Sequence, residues 1–163
     1  MVFRNGARIL AKASASHDVL VSELQAFIPA GDFITQCLYQ PLPTPYAERS
    51  TAAGGNVMGV ERAEAGHNGV LFLAVAMVKT AEQEAFAPPK IAAWIQAIRD
   101  FATNELGESA VHDWTYLNYA DKSQRVLESY GVGKIREAAR KYDPAEVFQR
   151  LCPGGFKISD VKI

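Results

Sequence analysis

The residues from Gly69 to Val78 constrain the fold more than any other part of the sequence, because no polar side chain occurs before Lys79. A membrane-spanning helix needs about 20 apolar residues, so this run is too short to cross a bilayer. Such a run is typical of a strand that is buried on both faces, or that lines an apolar cavity with one face. We therefore expect a central strand from Gly69 to Lys79.

Composition and charge exclude several function classes. The chain has 163 residues, of which 48% are hydrophobic and 21% charged, as is ordinary for one globular domain. The 17 Lys and Arg residues balance 18 Asp and Glu residues, so we expect no nucleic-acid partner and no membrane partner. The first residues carry charge where a secretory signal would have its apolar core. We expect a cytoplasmic protein.

The cysteines, histidines and glycines predict no metal centre, disulfide framework or dinucleotide loop. Cys37 and Cys152 are far apart, and none of the three histidines has a ligand partner at helical spacing. The G-x-G-x-x-G pattern that cradles a dinucleotide is absent from the sequence. We accordingly expect no metal and no cofactor.

Periodicity and turn residues divide the chain into strands and helices. Strands are predicted at Arg8–Ala11, Phe33–Gln40, Asn56–Glu61, Gly69–Lys79 and His112–Tyr119. Helices are predicted at His17–Ile28 with Ser16 as N-cap, from Pro88 to Leu106, around Ile135–Tyr142, and from Asp143 to the Pro153-Gly154-Gly155 stop. Residues 41–55 are predicted to form a long loop, and Ala63–Asn68 a turn.

This order of elements is the βαββαβ pattern of a ferredoxin-like unit. We expect one α+β domain over residues 1–163, with an antiparallel sheet, helices on one face and a C-terminal helical segment. The other face of such a sheet is uncovered, and a strand as apolar as Gly69–Val78 would leave an exposed patch too large for a monomer. We therefore expect a homodimer in which a second copy covers it, or else another covering domain.

The C-terminal part of the sequence carries the most informative motifs. They are Trp114-Thr-Tyr-Leu-Asn-Tyr-Ala-Asp121, Tyr130-Gly131, Tyr142-Asp-Pro144, Val147-Phe148 and Pro153-Gly-Gly-Phe-Lys157, with Gln36–Pro43 and Gly54-Gly55-Asn56 upstream. As a set they resemble the end of the fungal berberine bridge enzyme-like FAD-linked oxidases, over nearly the whole chain. The resemblance implies that residues 1–163 correspond to the C-terminal part of that family's substrate domain.

Two departures from that family bear on function. Family members are much longer and begin with a flavin-binding domain, to which nothing in this sequence corresponds. The family's proton-abstracting Glu or Gln lies on the strand after the GGN segment, and that position falls here near Val75, with Leu71, Leu73 and Met77 on the same face. A valine moves no proton, so the family's usual step lacks its residue.

The resemblance carries two candidate catalytic residues, Tyr116 and Asn118, from the family's Y-x-N motif, which lies beside flavin and substrate. Strand alternation would place Trp114, Tyr116 and Asn118 on one face, where a hydroxyl and an amide orient a substrate carbonyl. The expected substrate-binding residues are Trp114, Leu73, Val75, Met77, Gln36 and Tyr39. The alternative is that these are simply polar-tipped aromatic residues of the core.

These observations favour a flavin-free, stand-alone enzyme of fungal secondary metabolism that binds a hydrophobic small molecule. Its reaction would be a redox-neutral cyclisation, pericyclic reaction or isomerisation, because such steps depend on shape and on one or two hydrogen bonds more than on a base. The initial Met favours a complete short protein. The alternatives are an FAD-linked oxidoreductase fragment or partner subunit, with FAD as cofactor, and a non-catalytic small-molecule binding protein.

Overall fold

A four-stranded antiparallel sheet organises the chain, whose computed structural model describes residues 1–64 and 66–161. Its strands are β1 (Val2–Arg4), β2 (Phe33–Leu42), β3 (Gly69–Val78) and β4 (Val111–His112). They lie in the order β2-β3-β1-β4, and each neighbouring pair is antiparallel. The predicted α+β class is confirmed, and the predicted strands at Phe33 and Gly69 are both present.

The helices alternate with these strands and then follow them. They are α1 (Ala7–Gln25), α2 (Pro45–Ala52), α3 (Val60–Glu64), α4 (Ala81–Leu106), α5 (Val132–Tyr142) and α6 (Val147–Arg150). Short 3-10 turns lie at Ala30–Asp32, Glu108–Ala110, Leu117–Tyr119, Leu127–Ser129 and Ile158–Asp160. None of the helices in the described part of the chain is long and apolar enough to span a membrane.

Helices α1 and α4 cover one face of the sheet. Val70 and Phe72 of β3 are buried beneath them, and Ala74 and Val78 are partly buried. The same cluster includes Phe3, Ile9, Leu24, Ile28, Trp94 and Ile98. The Trp94 ring meets Phe72 edge-on at 5.3 Å between ring centres, and its Nε1 donates to the Ala13 carbonyl at 3.1 Å. The indole is therefore buried without an unsatisfied donor.

The C-terminal segment covers part of the opposite face. Its contribution is a second buried cluster, formed by Val2, Leu42 and Leu71 of the sheet with Trp114, Val126, Leu127, Tyr130 and Val161. This cluster lies over β1 and the adjoining ends of β2 and β3. The remaining length of those two strands has helices on one face only, as the sequence predicts.

The strand predicted at Arg8–Ala11 is wrong, because these residues belong to α1. The first strand is Val2–Arg4, which pairs with both β3 and β4. Pairing with β3 and β4 holds β1 in the sheet. The strand is too short to show a periodic pattern in the sequence. Helix α1 begins at Ala7 after Gly6, so Ser16 lies inside the helix and is not its N-cap.

The strand predicted at Asn56–Glu61 is also wrong. Gly54, Gly55 and Gly59 have φ angles of 91°, 80° and 66°, a region that strands do not use. The side-chain oxygen of Asn56 accepts a hydrogen bond from the Gly59 amide at 2.8 Å and closes a turn. The short helix α3 follows this turn.

The loop predicted over residues 41–55 is structured for most of its length. Strand β2 continues through Pro41 to Leu42, which a proline permits because β2 is an outer strand. Helix α2 then begins with Pro45 in its first turn. The turn predicted at Ala63–Asn68 includes Ala65, which lies outside the described residues.

Helix α4 begins at Ala81, well before the predicted start at Pro88. Thr80 forms a capping box, because its hydroxyl accepts from the Gln83 amide at 3.2 Å while Gln83 Oε1 accepts from the Thr80 amide at 3.2 Å. Pro88 and Pro89 therefore lie within the helix, on its exposed side. Water reaches the two carbonyl groups that lose an amide partner there.

The last helix begins later than predicted, at Val147 instead of at Asp143. Asp143 still acts as a cap, because its carboxylate accepts from the amides of Val147 at 2.8 Å and Phe148 at 3.0 Å. Glu146 has a left-handed φ of 55°, so it cannot be a helical N3 residue. A turn separates the capping side chain from the helix that it caps.

We expect Thr80→Ala to lower the free energy of unfolding by about 1 kcal/mol, because the variant loses the hydroxyl that accepts from Gln83. Urea unfolding followed by circular dichroism measures the change. Thr80→Ser keeps a hydroxyl acceptor and should retain most of the stability. Equal losses in the two variants would contradict the capping role.

Candidate functional site

Half of the sheet face opposite α1 and α4 is not covered by any residue that the structure describes. This open face consists of Ile34, Gln36, Leu38 and Gln40 of β2 with Leu73, Val75 and Met77 of β3. Three of its apolar side chains, Ile34, Leu38 and Met77, are 58%, 44% and 52% exposed. Neither strand contains a charged residue. The open face is therefore an apolar floor that carries two amide groups.

An aromatic wall, formed by Trp114, Tyr116 and Tyr119, lies at one side of this floor. Trp114 is buried, and its Nε1 donates to the Met58 carbonyl at 2.8 Å. It stacks on Tyr116 at 5.8 Å between ring centres, and Tyr116 meets Tyr119 edge-on at 5.0 Å. The Tyr119 hydroxyl donates to Gln40 Oε1 at 3.4 Å. The wall and the floor thus meet in a step.

The predicted strand that would have positioned this wall is largely absent. Only Val111 and His112 are in a strand, and residues 117–119 form a 3-10 turn. The turn nevertheless brings the two candidate catalytic residues together, because Asn118 Nδ2 donates to the Tyr116 hydroxyl at 3.0 Å. The expected strand alternation is wrong here, and the 3-10 turn places these two residues together instead.

Tyr130 is a residue of this site that the sequence analysis gave no role. It is buried, and its hydroxyl accepts from the Leu117 amide at 2.9 Å. Burial raises the pKa of the Tyr130 hydroxyl, so the group remains a neutral phenol at physiological pH. Tyr130 thereby fixes the first residue of the turn that carries Asn118 and Tyr119.

Five of the six expected substrate-binding residues lie on the open face or in the wall, and Tyr39 does not. Its ring points to the helix side, where its hydroxyl lies 2.9 Å from Ser14 Oγ and donates to the Leu10 carbonyl at 3.3 Å. Cys37 Sγ also donates to this hydroxyl at 3.0 Å. Burial raises the pKa of Tyr39 to about 12. The structure separates Tyr39 from the other candidates by the thickness of the sheet.

Glu61, in the first turn of α3, is directed toward α2. Its carboxylate accepts from Ser50 Oγ at 3.2 Å and from Asn56 Nδ2 at 3.5 Å. It lines an open cavity of about 570 Å³ beside α2, which also includes Glu48 and Thr51. On the floor itself, Val75 has only apolar neighbours and the amide of Gln36. The step offers hydrogen bonds to a ligand but no strong base.

The glycine pair of the GGN segment does not form a phosphate cradle. The Gly54 amide donates to the Thr51 carbonyl at 3.0 Å, and the Gly55 amide donates to the Ser50 carbonyl at 2.7 Å. Both amides are thus used to end α2. These two amides are therefore not available to a phosphate group. Within residues 1–64 and 66–161, no three metal-ligating side chains cluster.

Comparison with known proteins finds relatives among fungal enzymes, most of them named as FAD-dependent monooxygenases. The chain is 32% identical to the FAD-dependent monooxygenase drtC of Aspergillus calidoustus, over 100% of this chain and 31% of the relative. It is 31% identical to the FAD-dependent monooxygenase sdcF of Emericella nidulans, over 96% of this chain and 32% of the relative. A shorter match, 54% identical over 46 residues, links it to the bifunctional solanapyrone synthase of Alternaria solani.

This chain is much shorter than these relatives. It spans about a third of the length of the two monooxygenases. No protein-family model matches it, and no solved structure is similar to it at a significant level. The chain is therefore homologous to one part of larger proteins that are named as FAD-dependent.

We expect Tyr130→Phe to lower the free energy of unfolding by about 0.5–1.5 kcal/mol, because the Leu117 amide loses its hydrogen-bond acceptor. Chemical denaturation measures the loss. Tyr142→Phe is the matched control, since that side chain is 76% exposed, and it should leave stability unchanged. A Tyr130→Phe variant as stable as the control would remove Tyr130 from the support of the turn.

Proposed function

We propose that the open face and the aromatic wall form one side of the substrate site of a flavin-dependent oxidoreductase of fungal secondary metabolism, of the berberine bridge enzyme-like kind. One observation carries the proposal. The chain matches the FAD-dependent monooxygenase drtC along its whole length, and the Tyr119–Gln40 hydrogen bond joins its open apolar face to the aromatic wall, where Asn118 donates to the Tyr116 hydroxyl. The flavin, and the redox chemistry that it supplies, would be held by protein outside the described residues.

The residues of the step have distinct roles in this proposal. Leu38, Leu73 and Val75 bind the apolar body of the substrate and exclude water from beneath it. The Tyr116 hydroxyl accepts from Asn118, so its own proton is directed away from Asn118 and is available to a ligand oxygen. Asn118 positions that hydroxyl. Substrate held in this way is oriented for reaction on its opposite side.

The test is a chimera in which this chain replaces the matching part of the monooxygenase drtC. We expect the purified chimera to retain the visible absorption band of bound FAD. Tyr116→Phe should shift the absorption band or change the fluorescence of the bound flavin, because in this proposal it removes a hydroxyl from the surface that faces the flavin and its substrate.

The control for the chimera is Tyr142→Phe, in α5 and away from the step. It should leave the flavin spectrum unchanged. A folded chimera that is colourless would contradict the proposal, and so would a flavin spectrum that is insensitive to Tyr116→Phe.

A second candidate function is the flavin-free, redox-neutral cyclisation, pericyclic reaction or isomerisation. It is favoured by the lack of a proton-transferring side chain on β3, since such reactions use shape and hydrogen bonds. It requires a closed pocket, which a second copy would provide if the two open faces packed together as a homodimer. If the enclosed step binds a small molecule without turnover, the chain would instead be a non-catalytic small-molecule binding protein.

Light scattering of the purified chain at micromolar concentration tests this second candidate. We expect a dimeric mass if the open faces pack together, and Met77→Lys should return it to a monomer because a charge would be buried in the interface. Val19→Lys adds the same charge on α1, at a position that is 59% exposed, and should not change the mass. A monomeric wild-type chain would eliminate the enclosed dimer.

A further inference from the structure

Gln36 is a polar side chain in the middle of an apolar surface. It lies between Ile34 and Leu38 along β2 and directly opposite Val75 of β3. Its side chain is exposed, and it forms no hydrogen bond with any residue that the structure describes. The amide is therefore a free donor and acceptor over a floor that offers only apolar contact on each side.

A second polar point lies farther along the same strand, where Gln40 meets the aromatic wall. Gln40 Oε1 accepts from the Tyr119 hydroxyl, which leaves the Gln40 amino group as a donor. Strand rise is about 3.3 Å per residue, so the two amides are about 13 Å apart along β2. Leu38 and its cross-strand partner Leu73 fill the floor between them.

We infer that these two points recognise an uncharged, elongated and largely apolar ligand that carries an oxygen function at each of two places. The inference names the substrate class of the proposed function and rests on that function. Each oxygen would accept a hydrogen bond from one amide, while the carbon skeleton between them covers Leu38 and Leu73.

The chemistry of the floor excludes charged ligands from this mode of binding. Neither β2 nor β3 contains a charged side chain, and the nearest lysine beyond β3, Lys79, is paired with Asp32 at 2.7 Å. A carboxylate or an ammonium group laid on this floor would lose water without gaining a countercharge. A carbonyl or a hydroxyl loses less and is satisfied by one amide.

The test uses the whole purified chain and Nile red, an uncharged, elongated aromatic dye with a ring carbonyl. Its fluorescence reports both affinity and the polarity around that carbonyl. Gln36→Leu makes the floor more apolar but removes the hydrogen bond. We expect this variant to bind the dye about two- to tenfold more weakly, with emission moved to shorter wavelength. Tyr119→Phe removes the hydrogen bond to Gln40 Oε1. It should therefore change the affinity for the dye through the second amide, independently of Gln36.

Two controls make the outcome decisive. Gln25→Leu adds the same apolar side chain at an exposed position of α1, and it should leave dye binding unchanged. The anionic dye anilinonaphthalene sulfonate should bind the wild-type chain more weakly than Nile red. Melting curves of every variant verify that the fold is intact.

The opposite results overturn the inference. Equal or tighter binding of Nile red by Gln36→Leu means that the face merely adsorbs apolar molecules. Exclusion of the dye from a chain of dimeric mass means that a second copy occupies the face. The dye experiment needs no flavin, so its result stands even if the chimera fails to bind flavin. If the chimera binds flavin but Gln36→Leu does not change dye binding, only the inferred mode of ligand recognition is refuted.

Discussion

The pairing of β3 with β2 and β1 is the constraint on which the rest of the structure depends. As β3 is uncharged and internal in the sheet, both of its faces need cover. Its even-numbered residues obtain it from α1 and α4, and Leu71 obtains it from the C-terminal segment. The cover ends near Leu73, and the step begins there. The candidate site is thus the place where a two-sided requirement for burial is met on only one side.

Much of the fold could be predicted from the sequence, because β2 is rich in aromatic and β-branched residues, β3 is an unbroken apolar run, and α4 has an apolar stripe at helical spacing. The failures share a cause. β1 is held by two neighbours instead of by its own pattern, and the start of α4 depends on the side chain of Thr80 more than on Pro88. Where tertiary pairing or one side-chain hydrogen bond decides a boundary, periodicity carries no signal.

The candidate site likewise combines features that could be predicted from the sequence with features that could not. Tyr116 and Asn118 are neighbours, but a 3-10 turn anchored on Tyr130 brings them together, and no strand pattern encodes such a turn. Tyr39 could have been separated from Gln36 without a structure, because residues an odd number apart on one strand face opposite sides. The two glutamines of β2 share parity, and both are on the open face.

The contact between Tyr119 and Gln40 has a consequence for the width of the site. At 3.4 Å it joins two exposed side chains, and water or a ligand can replace such a bond at little net cost. Trp114, by contrast, is fixed by burial and by its bond to Met58. The aromatic wall is consequently fixed at Trp114 and adaptable at Tyr119. In the proposed function, molecules of different thickness would therefore be accommodated against the same floor without any change in the core.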